Sequence, residues 1–129
     1  VLGVQDSRLT YDKFNEFCAS LAATTYVVQW GGAHVWKVGG KVFAIGGWSE
    51  NEEPGFTFKT SEPDFYFLQN EPGFRPAPYM ASRGLKWIQQ TDNSIKRDVE
   101  LQSYLSESHR IVSLGLTKKR QKELGLNQS

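Results

Sequence analysis

The side chains with chemistry to offer are cations set among aromatic rings. Lys118, Lys119, Arg120 and Lys122 run together near the C-terminus, and Arg75, Arg83 and Lys86 lie close in sequence to Phe74, Tyr79 and Trp87. Cations attract phosphate oxygens and rings stack on bases, so this mixture suits nucleic-acid contact. A charged terminal helix is equally what a solvated face looks like, and no reaction can be read from it.

Other reactive groups point to less. His34 and His109 are the only histidines, and neither has ligand spacing with the other or with Cys18. Glu50, Glu52 and Glu53 share one loop, which reads as solvated rather than as an acid/base pair. Gly39-Gly40-Lys41 looks like the end of a phosphate-binding loop, but Val35 stands where its first glycine is required, and the segment turns between strands. No serine sits in a nucleophile-elbow pattern. The expectation is a chain without a catalytic motif, metal or cofactor.

The elements that must position these groups centre on Ala33 to Trp48, AHVWKVGGKVFAIGGW. Two β-prone runs flank Gly39-Gly40, a pair able to hold the positive φ angles of a tight hairpin turn. That register sets Val38 opposite Lys41, Trp36 opposite Phe43 and His34 opposite Ile45. Alternation then sends Trp36, Val38, Phe43 and Ile45 to the core, and Val35, Lys37, Val42 and Ala44 to the other face.

Before this hairpin, Thr10 caps a helix to about Leu21, with Tyr11, Phe14, Phe17, Cys18 and Leu21 on one face, and Thr24 to Trp30 reads as a strand. After it, Gly55 to Thr60 is a fourth strand, and Ser61-Glu62-Pro63-Asp64 opens a short helix. Phe74 to Ser82, with two prolines, reads as an irregular crossing segment, and Gly84 to Thr91 as a fifth strand. Ser94 then caps a long helix, Ile95 to Leu114, whose stripe is Ile95, Val99, Leu101, Tyr104, Leu105 and Val112, with Gly115 as its C′ residue. Thr117 caps a last helix, Lys118 to Leu124. The order predicts an α+β two-layer sandwich: a mainly antiparallel five-stranded sheet with helices packed on one face. Residues 1–9 are a lead-in, 10–125 one domain and 126–129 a tail.

The 129 residues carry 15 basic and 14 acidic side chains, too balanced for net charge alone to imply a nucleic-acid or membrane partner. The lone Cys18 cannot close an internal disulfide and reads as a core thiol of a reducing compartment. No basic segment precedes a long apolar run, and nothing approaches the ~20 apolar residues of a membrane span. A cytoplasmic, monomeric protein is expected, and Asn127-Gln128-Ser129 reads as a chance glycosylation sequon. Strand alternation turns Lys37, Lys59 and Trp87 to the sheet face that the helices leave open. There they would form a basic, aromatic platform flanked by Arg83 and the terminal cations, the alternative for Trp87 being edge packing beneath the Phe74 to Ser82 crossing segment. A pocket around Lys59, Tyr79 and Trp87, binding a small molecule or a substrate, is the rival from another class, and a protein-interaction adaptor is a third.

Several stretches resemble one family. SLAATTYVVQW, GGAHVWKVGGKVFAI, FTFKTSEPDF, PAPYMASRGLKWI, LQSYLSESHRIV and LTKKRQKEL, in this order, are similar to the MmcQ/YjbR family over about Thr10 to Leu124. The chain departs from it at Gln29-Trp30-Gly31, where relatives carry an acidic residue and Pro-Phe-Gly, and at Thr117, where proline is usual. The resemblance implies a CyaY-like α+β sandwich and a predicted DNA-binding protein. It brings no cofactor and no catalytic residue.

Overall fold

The computed structural model describes residues 10–49, 53–80, 83–92 and 98–128. They form helices α1 (Tyr11–Ser20), α2 (Glu62–Leu68), α3 (Asp98–Leu114) and α4 (Lys118–Leu124) and strands β1 (Thr24–Gln29), β2 (Ala33–Val38), β3 (Lys41–Gly46), β4 (Phe56–Lys59), β5 (Phe74–Pro76) and β6 (Trp87–Gln90). The strands make one antiparallel sheet in the order β1-β2-β3-β4-β6-β5. The fold class is as expected, with six strands rather than five. Phe74–Pro76, part of the Phe74 to Ser82 segment read as irregular with its two prolines, is a short edge strand on β6, where an edge position tolerates a missing donor. The expected start of the long helix, Ser94 and Ile95, lies outside the described residues.

The N-caps of α1, α2 and α4 fall where the sequence places them, whereas Gly115, expected as the C′ residue of α3, is not in the left-handed region. Thr10, Ser61 and Thr117 each accept a bond from the backbone N–H three residues on, at 3.2, 3.3 and 3.0 Å. Gly125 closes α4 at φ 70°. Leu126, assigned to the tail, is buried in the main core.

The hairpin begins in the expected register, with Val38 on Lys41 and Lys37 on Val42, then slips: Trp36 pairs with Ala44, and Val35 with Ile45. Phe43 is the extra residue of a β-bulge. Trp36, Val38 and Phe43 still face the helices, but beyond the bulge the alternation inverts. Ala44 joins the helix-covered core, while Ile45 turns to the opposite face with Ala33 and Val35. The two positions are thus exchanged relative to the sequence reading.

The bulge also ends the β3–β4 ladder at Ala44 and Phe58. Ser108 of α3 repairs the gap: its buried hydroxyl donates to the Phe43 carbonyl at 2.6 Å and accepts from the Lys59 N–H at 2.9 Å. Around that bond the buried face of α3 is Leu101, Leu105, Ser108 and Val112, and Tyr104 stacks on Phe58 with centroids 5.2 Å apart. Val99, placed in the stripe from sequence, is 77% exposed. It sits two positions from Leu101, about 200° around the helix, so it faces solvent.

Two variants probe this core in denaturant titrations. Leu105→Ala removes a fully buried side chain and is expected to cost about 2–5 kcal/mol; a loss below about 0.5 kcal/mol would place the stripe on the wrong side. Ser108→Ala orphans a buried donor and a buried acceptor and is expected to cost about 1–3 kcal/mol. The exposed Ser106→Ala should stay within about 0.5 kcal/mol of the parent.

Candidate nucleic-acid interface

The basic residues gather at the hairpin end of the sheet because of one close approach. Gly39 holds φ 58°, and a Cβ there would come within 2.6 Å of Leu116 and 3.2 Å of Leu124. The missing side chain lets α4 and its lead-in seat on the β2–β3 turn. Lys41 reinforces the contact, its Nζ donating to the Gly115 carbonyl at 3.2 Å. Lys118, Lys119, Arg120 and Lys122 are exposed beside that turn, and Glu123 faces Arg120 at 3.9 Å. Residues 37–41 and 117–124 together carry six basic side chains and one acidic. The chain is nearly neutral as a whole, so this end is strongly positive against the rest.

The expected platform is only partly assembled. Lys59 pairs with Trp87, and Lys37 with Val42, in one row across the face away from the helices. Both lysines are half-buried, with stems along the sheet. Trp87, however, is 7% exposed. β5 makes β6 an interior strand, and Ala77 extends that ladder beside it, its N–H donating to the Trp87 carbonyl at 3.0 Å. The Trp87 indole is therefore packing, and no base can stack on it.

The other cations separate. Lys86 points to α2, its ammonium 5.1 Å from the Phe65 ring centroid and 4.9 Å from that of Tyr66. Arg75 is structural: its Nε donates to Gln89 Oε1 at 2.7 Å and its Nη2 to the Trp48 carbonyl at 3.3 Å. Arg83 is exposed on the turn after Met80. The rival pocket does not converge either, since Tyr79 lies edge-on against Trp48, at 5.3 Å, and Trp87 is sealed. A cleft of about 370 Å³ lies elsewhere, between α1 and α3, lined by Lys13, Glu16, Phe17 and Leu101 among others.

The remaining reactive groups have structural partners. His34 Nδ1 lies 2.8 Å from the Tyr26 hydroxyl, and the neighbouring Trp36 Nε1 donates to Asn15 Oδ1 at 2.9 Å. His109 Nε2 reaches the Ala22 carbonyl at 2.7 Å, tying α3 to the start of β1. Among the described residues no group of three His, Cys, Asp or Glu side chains could hold a metal ion, and no helix is long and apolar enough to cross a membrane. Sequence reasoning missed Trp30 and Trp48, which form a ring cluster with Tyr79 on the face away from the helices. The available signal was that each of the two tryptophans abuts a Gly-Gly pair.

Three comparisons with known proteins bear on identity. Residues 19–111 match the family model named YjbR. Among solved structures, the fold is similar to that of the Deinococcus radiodurans protein DR2400, described with the family-model domain DUF419. The TM-score is 0.80 at 21% identity, covering 98% of this chain and 95% of that one. No curated protein matches the chain by sequence.

Cys18 is fully buried, and burial pushes its thiol well above the ordinary range. A thiol-reactive chromogenic reagent at mildly alkaline pH should leave the native protein unmodified and label one thiol once denaturant unfolds it. Rapid labelling of the native protein would remove Cys18 from the core.

Proposed function

This chain belongs to the YjbR family, and we propose that it is a non-catalytic DNA-binding protein that holds phosphates at the basic end of its sheet. The observation that carries the reading is the seating of Leu116 and Leu124 on Gly39. It brings cations from two stretches almost eighty residues apart in sequence into one patch on a nearly neutral chain. A local excess of positive charge of this kind draws in polyanions and gives binding that weakens with salt. Lys118, Lys119 and Arg120 make the phosphate contacts from the exposed side of α4. Lys37 and Lys59 extend the track along the sheet, and Arg83 flanks it. The MmcQ/YjbR resemblance carries the same expectation. The aromatic contribution assigned to Trp87 is dropped, and Arg75 and Lys86 act through packing.

Anisotropy titrations of labelled single-stranded and duplex oligonucleotides over a range of salt test this. Log affinity should fall linearly with log salt, by about 0.9 per phosphate neutralised on duplex and about 0.7 on single strands. Lys119→Ala and Lys59→Ala should each make the duplex slope shallower by about 0.9. Absence of binding to either form at low salt would overturn the proposal.

A further inference from the structure

Trp30, Trp48 and Tyr79 hold φ at 54°, 59° and 69°, three of the five non-glycine residues with positive φ among those described. For bulky side chains this left-handed backbone is an outlier, kept only where the surroundings impose it. The three lie on separate connections: the β1–β2 turn, the exit of β3 and the turn after β5. Yet their rings meet, Trp30 to Trp48 at 5.6 Å and Trp48 to Tyr79 at 5.3 Å. The centre is held from beneath. Gln89, fully buried, donates from Nε2 to the carbonyls of Gly47 and Trp48, both at 3.1 Å, and Arg75 donates to the same Trp48 carbonyl. The outer rings are not buried in return: Trp30 is 50% exposed and Tyr79 73%. Burial therefore does not account for strain at those two positions; the arrangement presents flat rings to solvent on a fixed base.

Resting on the nucleic-acid reading above, we propose that Trp30 and Tyr79 are a stacking site for unpaired nucleobases, so that the preferred ligand is single-stranded nucleic acid. Duplex DNA keeps its base faces inside the stack, whereas a single strand offers each of them to a ring. Charge on the same sheet face fits this occupant. Lys37 and Lys59 share the row nearest the Gly39-Gly40 turn, and Ala33, beside the Trp30 turn, lies about 13 Å from Lys37 along β2. A single strand crossing this side of the sheet, over the Met80 side chain that covers Ala33 and Val35, meets cations for its phosphates at one end and rings for its bases at the other.

The test compares a labelled oligothymidylate with a duplex of equal length at low salt, using the parent, Trp30→Asn, Tyr79→Gly and Lys119→Glu. The parent should bind the single strand about tenfold more tightly than the duplex. Trp30→Asn and Tyr79→Gly should each weaken single-strand binding about tenfold and leave duplex binding unchanged. Both replacements accept a left-handed backbone, so relieved strain offsets part of the lost contact with Trp48, and the thermal midpoint should fall by no more than about 5 °C. Lys119→Glu should weaken both forms. Equal affinity for the two forms, with Tyr79→Gly binding as the parent does, overturns this inference and leaves the phosphate reading standing. A larger fall in Tyr79→Gly gives the ring a structural role and also overturns it. If neither form binds the parent, both readings are overturned.

Discussion

The hydroxyl of Ser108 fixes how the two layers of this protein meet. A bulge at Phe43 breaks the ladder between β3 and β4 and leaves a carbonyl and an N–H in the interior, where an unpaired backbone group is costly. One side chain on α3 satisfies both. Hydrogen bonds tolerate little displacement, so α3 has a single position along the sheet. The contacts on either side agree with it: Tyr104 lies flat on Phe58, and the ring of His109 meets Phe43 edge-on. Hydrophobic burial alone would allow α3 to slide by a turn; the polar bond selects one packing.

Glycines do the equivalent work for the other helices. A Cβ at Gly46 would meet the Phe14 ring at 2.8 Å and the Tyr11 ring at 3.0 Å, so its absence lets α1 lie close on β3. Gly39 does the same for Leu116 and Leu124 below α4. The second approach has a functional consequence. A side chain at Gly39 would lift α4 from the hairpin and disperse the positive charge that the proposed DNA contact depends on.

The face away from the helices is neither bare nor a second layer. Arg75, Gln89 and the Trp48 carbonyl form a chain of hydrogen bonds that pins the loop after β3, and Met80 packs on Ala33, Val35 and Ile45 beneath it. Ile45 reaches this face only because the bulge inverts the alternation. Trp87 is sealed on the same side, while Trp30 and Tyr79 stay in solvent. Aromatic residues of similar composition thus divide into packing and presented rings according to strand order.

From sequence alone, local rules gave correct answers at most positions where local forces decide, Val99 being an exception. The caps at Thr10, Ser61 and Thr117, the turn at Gly39-Gly40 and the inward Trp36 and Val38 follow from side-chain chemistry within a few residues and from strand alternation. Charge runs such as Lys118 to Lys122 are equally visible. The bulge at Phe43 was not, because an inserted residue leaves the β-prone pattern unchanged and is selected by a serine 65 positions away. For Trp87 the sequence left packing and exposure open, and the choice depends on Phe74–Pro76 pairing outside β6 despite its proline. The joining of α4 to the hairpin and the meeting of Trp30, Trp48 and Tyr79 come from contacts between distant segments. Such contacts are stabilised by packing in three dimensions and leave no period in the sequence, so only the tertiary structure decides them.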